Sequence, residues 1–187
     1  MQSIKESFVD DNGTRMWYKY GKLHRKGKPA VKKKNGTRMW YKYGELHRKG
    51  RPAVKKKNGT RMWYKYGKLH RKEKPAVKKK NGNIYWYKNG ERHREGDFPA
   101  VVKYNGSEYW YKNGKLHRDD DQPAIIHTDS KEWWKDGKRH REGDKPALVD
   151  YLGHIEWWKD GKQHRDGCLP AVADIVVKEY EQYMSLQ

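Results

Sequence analysis

Seven His-Arg pairs punctuate this chain: His24-Arg25, His47-Arg48, His70-Arg71, His93-Arg94, His117-Arg118, His140-Arg141 and His164-Arg165. An imidazole beside a guanidinium is the kind of pair that serves as a general base next to an anion-stabilising group. A catalytic pair, however, is needed once and with a third group to orient it, whereas this dyad stands at one position of every copy of a repeat. The repetition predicts structural work: His bonding a turn carbonyl, and Arg lying on an aromatic face or pairing with the loop acids Asp119, Asp120, Glu142 or Asp166. Zinc is not expected, because a metal needs imidazoles converging to about 2.0–2.1 Å. Same-position residues in successive two-stranded units lie roughly 10 Å apart. No phosphate-binding glycine loop or nucleophile elbow is present in the sequence, so neither a catalytic residue nor a cofactor is expected.

The second candidate chemistry is electrostatic. Residues 1–80 hold 27 Lys+Arg against 5 Asp+Glu, net +22, while residues 81–187 hold 17 against 19, net −2, so the whole excess of +20 belongs to the first part. Three triplets, Lys32-Lys33-Lys34, Lys55-Lys56-Lys57 and Lys78-Lys79-Lys80, fall at one repeat position. Folding is expected to gather these nine lysines at one strand end, as a polyanion-binding edge or as charge that keeps a sheet edge from aggregating. In the near-neutral part, Trp134, Trp158, Tyr87 and Tyr111 are the expected protein-contact residues, since aromatic side chains dominate interface hot spots.

What positions these groups is an internal repeat. Residues 12–34 recur at 35–57 with only Glu45 and Arg51 changed, and at 58–80 with only Glu73 changed; looser copies occupy 81–104, 105–127, 128–151 and 152–175. The seven prolines, Pro29, Pro52, Pro75, Pro99, Pro123, Pro146 and Pro170, share one position, always followed by Ala. Asn-Gly pairs and a second Gly turn in each copy bracket aromatic runs, which signals hairpins. About 23 residues per copy are too few for a parallel crossover. The expected fold is therefore all-β, an elongated antiparallel meander of seven hairpin units, with Trp stacked on Trp and Tyr on Tyr between units.

A half-repeat at 1–11 and a segment at 176–187 are expected to cap the ends, around three basic repeats (12–80) and four near-neutral ones (81–175). The mean hydropathy of −1.38 would suit a disordered chain, but 13% aromatic residues at a fixed spacing argue against disorder. No apolar run is long enough to span a membrane, and the first residues lack a signal-peptide core, so a non-secreted protein is expected. The single cysteine, Cys168, permits no internal disulfide and is expected to be an ordinary loop residue.

The segment Glu156-Trp157-Trp158-Lys159-Asp160-Gly161-Lys162-Gln163-His164, like Trp133-Trp134-Lys135-Asp136-Gly137-Lys138-Arg139-His140, resembles the MORN repeat. The glycines that follow the His in that family are replaced here by Arg and by Pro-Ala, a variant similar to repeat arrays of large DNA viruses of amoebae. The resemblance covers residues 12–175. It implies a stacked-hairpin scaffold in a virion or host cytoplasm, contacting structural proteins of an assembly, and carries no catalytic residue. The function expected is a non-catalytic scaffold with a basic end on a polyanion; the alternative is a non-specific binder of nucleic acid or of an anionic membrane surface.

Overall fold

The computed structural model describes residues 5–167 and 169–174; Cys168 and the expected C-terminal cap lie outside the described residues. Every regular element among them is a β-strand, and pairing is antiparallel throughout. The chain divides into two compact units, Met1–Glu91 and Arg92–Gln187.

In the first unit, β1 (Lys5–Val9) pairs along its whole length with β2 (Arg15–Lys19), whose end continues into β3 (Lys22–Leu23). The half-repeat at the N-terminus is thus a full edge strand for the first copy. The next strands are short: β4 (Val31–Lys32), β5 (Arg38–Met39), β6 (Tyr41–Lys42), β7 (Glu45–Leu46) and β8 (Val54–Lys55). The ladder β1-β2-β4-β5-β8 continues through 61–62, 77–78 and 84–85, while β6 pairs only with β7, as a side hairpin. Each copy therefore gives two strands to the ladder and two more to a side hairpin, where the sequence suggested two in all.

Trp40 is the pivot between them. Its N–H donates to the Ala53 carbonyl in the ladder (2.8 Å) and its carbonyl accepts from the His47 N–H in the side hairpin (3.0 Å). Trp63 makes the same two bonds with Ala76 and His70. The strand changes partner at the Trp and so loses its continuity. In the first copy β1 holds β2 straight through Trp17.

Both turn types follow from the residues. In 33–37 the Lys33 N–H donates to Thr37 O, and Gly36, at φ 79°, supplies the left-handed residue that closes the three-residue loop. The side hairpins turn on two positive-φ residues: Tyr20, Tyr43 and Tyr66 (φ 52°, 50° and 48°) with their glycines, matched by Asn113, Asp136 and Asp160 in the second unit. Asn and Asp tolerate this region; Tyr does so at a cost.

Alternation sorts the ladder of the first unit into two rows. Met16, Val31, Met39, Val54, Met62, Val77 and Tyr85 stand opposite one another on one face, with the valines buried. The other face carries the Trp side chains and the alanines, of which Ala30, Ala53 and Ala76 are wholly buried.

The second unit repeats the plan over 101–102, 108–109, 125–126, 130–132, 148–150, 154–156 and 172–174. Here a core of Trp133, Ala147, Val149, Ile155 and Trp157 closes the Trp face.

Candidate anion-binding face

The His-Arg-Pro-Ala motif forms a clip that recurs along the chain, complete with Trp face and Pro carbonyl at Arg48, Arg71, Arg118 and Arg141. The Arg guanidinium lies flat on the Trp eight residues before it, at 3.9 Å for Arg25 on Trp17, Arg48 on Trp40 and Arg71 on Trp63. Arg118 on Trp110, Arg141 on Trp133 and Arg165 on Trp157 repeat the contact at 3.8–3.9 Å. Arg Nη1 donates to the carbonyl of the motif's Pro: Pro52 at 3.4 Å, Pro75 at 3.3 Å, Pro123 at 3.2 Å and Pro146 at 3.2 Å. The expected Trp-on-Trp stacks give way to this arrangement, because the guanidinium takes the ring face. Between copies, the His24 ring packs at a tilt on Tyr43 and that of His47 on Tyr66, both at 4.4 Å.

The His role also differs from the expected bond to a carbonyl. Nδ1 accepts the N–H of the positive-φ turn residue one repeat on: His24 from Tyr43, His47 from Tyr66, His70 from Asn89 and His93 from Asn113, each at 3.2 Å. His117 takes Asp136 and His140 takes Asp160 at 3.1 Å. The next Gly donates to the residue before the His, as Gly67 N–H does to Leu46 O (3.0 Å). Two bonds thus tie each side hairpin to the one before it. An Nδ1 that accepts leaves the ring proton on Nε2.

What Nε2 meets separates the two units. In the second, an acid follows the dyad: His93 Nε2 lies 3.2 Å from Glu95, His117 2.8 Å from Asp119, His140 2.9 Å from Glu142 and His164 2.8 Å from Asp166. Lys112 and Lys135 join Asp119 and Glu142 at 3.1 Å. In the first unit the residues at this position are Lys26, Lys49 and Lys72. Burial first, then Lys19 and Lys42, holds the His24 pKa below its usual value; burial, then Lys42 and Lys65, does so for His47.

A second acid position fixes the Arg. Arg118 Nε and Nη2 fork onto Asp97 of the preceding loop, both at 2.7 Å. Arg141 forks onto Asp121 at 2.9 and 3.1 Å, and Arg165 onto Asp144 at 2.7 and 3.0 Å. The Arg118 bonds hold the Asp97 carboxyl below the usual range, and those of Arg165 do the same for Asp144; at Asp121 burial opposes the shift and the bonds from Arg141 and Lys145 prevail. Of the acids expected to pair with Arg, Asp119, Glu142 and Asp166 serve the His instead. Asp97, Asp121 and Asp144 escaped the sequence reading, although a signal exists: Arg and Pro are four apart in the first three copies and five apart in the last four. The extra loop residue makes room for the forked Asp.

The first unit carries neither acid. Directly across its ladder stand Arg15, Lys32, Arg38, Lys55, Arg61 and Lys78, six cations in register on the Trp face. At strand spacing the row spans roughly 24 Å. The matching row of the second unit reads Val102, Glu108, Ile126, Lys131, Val149 and Ile155. Like charges directly opposite cost stability. Lys55 shows it: burial, then Arg48, Arg61, Arg51 and Arg38, pulls its pKa down.

The nine expected lysines are thereby divided. Lys32 and Lys55 reach over Trp17 and Trp40 at 5.7 and 5.8 Å and belong to the row, as Lys78 does by register. Lys34, Lys57 and Lys80 run their stems across Gly13, Gly36 and Gly59 of the preceding turn. Lys33, Lys56 and Lys79 sit in the turns themselves, bonding through the backbone to Thr37, Thr60 and Asn83.

The expected protein-contact aromatics are half-buried. Arg139 lies between Trp134 (5.5 Å) and Trp158 (4.9 Å) and donates to Glu132 (2.8 Å) and Glu156 (3.1 Å). The Tyr111 hydroxyl accepts from Arg92 (2.9 Å), and Tyr87 is half-buried as well. Among the described residues the exposed aromatics are Phe8, Tyr20, Tyr43, Tyr66, Phe98, Tyr104 and Tyr151. No family model matches the chain, and no curated protein matches it either.

Proposed function

We propose that this protein is a non-catalytic repeat scaffold whose first unit docks on a polyanion while its second serves protein contacts. The observation that carries this reading is the row from Arg15 to Lys78, six opposed cations with no carboxylate paired to them among the described residues, in a chain whose second unit supplies an acid for the His of every clip and a forked Asp for three of its arginines. A scaffold that balances its charges in one unit and leaves them open in the other holds an unsatisfied field, which favours a charged partner. The likeness of the repeat to MORN arrays favours the scaffold role and a setting in an assembly.

The experiment is binding of the full chain to polyanions across salt, with Arg38→Gln, Lys55→Gln and Arg61→Gln combined. The scaffold-docking reading expects measurable binding that weakens with salt, and a shallower salt dependence in the triple variant. Binding unaffected by both salt and the variant overturns it.

A second reading, a non-specific single-strand nucleic-acid binder, is favoured by Tyr20, Tyr43 and Tyr66, exposed one per copy, with Lys19 over the Tyr20 ring and Lys42 over that of Tyr66. Exposed rings beside cations suit base stacking.

A further inference from the structure

The clips of the two units share one geometry but differ in one ligand, and the difference identifies a site. In the second unit Arg118 and Arg141 are pinned by a Trp face and a Pro carbonyl, so that the Nε–Nη2 edge points at the preceding loop and receives a carboxylate there, and Arg165 on Trp157 receives one in the same way. That carboxylate stands at the surface, since the side chains of Asp97 and Asp144 are 62% and 54% exposed. Arg48 and Arg71 are pinned in the same way, by Trp40 and Pro52 and by Trp63 and Pro75. The loops before them lack the extra residue and read Lys26-Gly27-Lys28 and Lys49-Gly50-Arg51. Burial, then Arg51, lowers the pKa of Arg48, and burial lowers that of Arg71; among the described residues no carboxylate reaches either edge.

We propose that the Nε–Nη2 edges of Arg48 and Arg71 are binding notches for carboxylates from outside, and that the polyanion docked by the first unit is an acidic polypeptide segment. The inference rests on the docking reading above and names its ligand. A guanidinium already oriented by a ring and a carbonyl binds a forked oxyanion without further ordering. The chain itself demonstrates the fit three times with Asp. Lys28 and Arg51 stand in the facing loops where the second unit places Asp97 or Asp121, so the cleft offers cations to the incoming acid instead of closing the notch. The notches recur once per repeat beside the cation row, so a segment with spaced acids can engage both together with Lys55, Arg38 and Arg61.

The test uses the full chain, with poly-L-aspartate and an oligothymidylate of equal charge as probes. Arg48→Lys with Arg71→Lys keeps the charge but removes the fork, and is expected to weaken poly-L-aspartate binding about tenfold or more, with oligothymidylate binding changed far less. Because loss of the Arg contacts can disturb the fold, a second variant leaves them intact. In it residues 26–28 and 49–51 are each replaced by Glu-Gly-Asp-Lys, the sequence of 142–145. That variant is expected to melt at a higher temperature and to lose poly-L-aspartate affinity, because its own Asp fills each notch. Poly-L-aspartate binding that survives both variants overturns the notch assignment while leaving the docking reading standing. Tighter binding of oligothymidylate, with the same dependence on Arg48 and Arg71, also overturns it and makes phosphate the occupant. Failure of either polymer to bind at low salt brings down both the assignment and the docking reading.

Discussion

His47 accepts the backbone N–H of Tyr66, nineteen residues on, at Nδ1 (3.2 Å), so a protonated imidazole cannot coexist with this contact. The pKa of His47 is held below the ordinary 6.5 by burial and by Lys42 and Lys65, with Glu45 opposing, and that of His24 is held down likewise. A depressed imidazole pKa means that the unfolded chain binds the proton first. The stability these two contribute is complete above pH 6.5 and is lost as pH falls toward their folded values.

In the second unit carboxylates are depressed, Asp97 through its Arg118 bonds and Asp144 through those of Arg165, and their contribution is complete above 3.8 and is lost only below it. His154 has the opposite sign, raised by Glu156 and Asp174, so its contribution is complete below 6.5 and fades as pH rises through its folded value. Amide exchange, corrected for intrinsic rates, should therefore show the Tyr43 and Tyr66 N–H groups losing protection as pH falls below 6.5. Protection that does not change with pH at these two groups contradicts the assignment. His47→Ala should cost about 1 kcal/mol, the worth of one such bond.

Tyr20 occupies a left-handed turn position at φ 52° where the second unit uses Asn or Asp. It is 65% exposed, and no His ring from an earlier copy packs on it, unlike Tyr43 and Tyr66. Tyr20→Asn should raise stability by roughly 0.5–1 kcal/mol, part of the cost of a bulky residue in that region. Tyr43→Asn should gain less, because it also gives up the His24 contact. Thermal melts of the two variants test the ranking; a loss on Tyr20→Asn would show that the ring is held by more than the backbone turn.

The hairpin array was legible because a period of 23–24 residues and the Gly turns specify it locally. The side hairpin was not, since nothing in Arg-Met-Trp-Tyr-Lys marks the Trp as the point where a strand changes partner; that follows from the Ala53 carbonyl and the His47 N–H meeting Trp40 from two directions. That the dyads share one place in every copy was legible from the repeat. Their partners were not, because Asp97 to Arg118 and Tyr66 to His47 are contacts between copies, set by how one hairpin is offset on the next. The division of each lysine triplet between faces follows from simple alternation once the strand is known to end at Lys32, Lys55 or Lys78.

Ala53 is wholly buried where the Trp40 N–H meets its carbonyl, and Ala30, Ala76, Ala100, Ala124 and Ala147 are buried as fully. A larger residue must push the Trp or the strand aside. Ala53→Val should destabilise by about 1–3 kcal/mol through overpacking, despite the higher β-propensity of Val. The same change at Ala124 should cost as much. Denaturant midpoints decide it, and a neutral result at both sites would mean that the ladder can open by a methyl group without loss.

Lys55 joins the two themes of charge and stability. It stands directly between Arg38 and Arg61 in the ladder, half-buried, and the residues at its position in the second unit are Val102, Ile126 and Val149. A charge wedged between like charges costs roughly 0.2–1 kcal/mol per opposed pair, and Val suits a ladder position better. Lys55→Val should therefore raise the melting temperature. If the row exists to meet an anionic partner, the same substitution should weaken polyanion binding and flatten its dependence on salt. One change would then move the two measurements in opposite directions, which is the signature of a residue kept for binding against its own stability. Were Lys55→Val to lower stability, the lysine stem over Trp40 (5.8 Å) would be a packing element, and the repulsion across the row would be smaller than its contribution. Were it to raise stability with binding unchanged, the docking surface would have to lie away from the row, and the outer lysines of the turns, Lys33, Lys56 and Lys79, would be the next residues to neutralise.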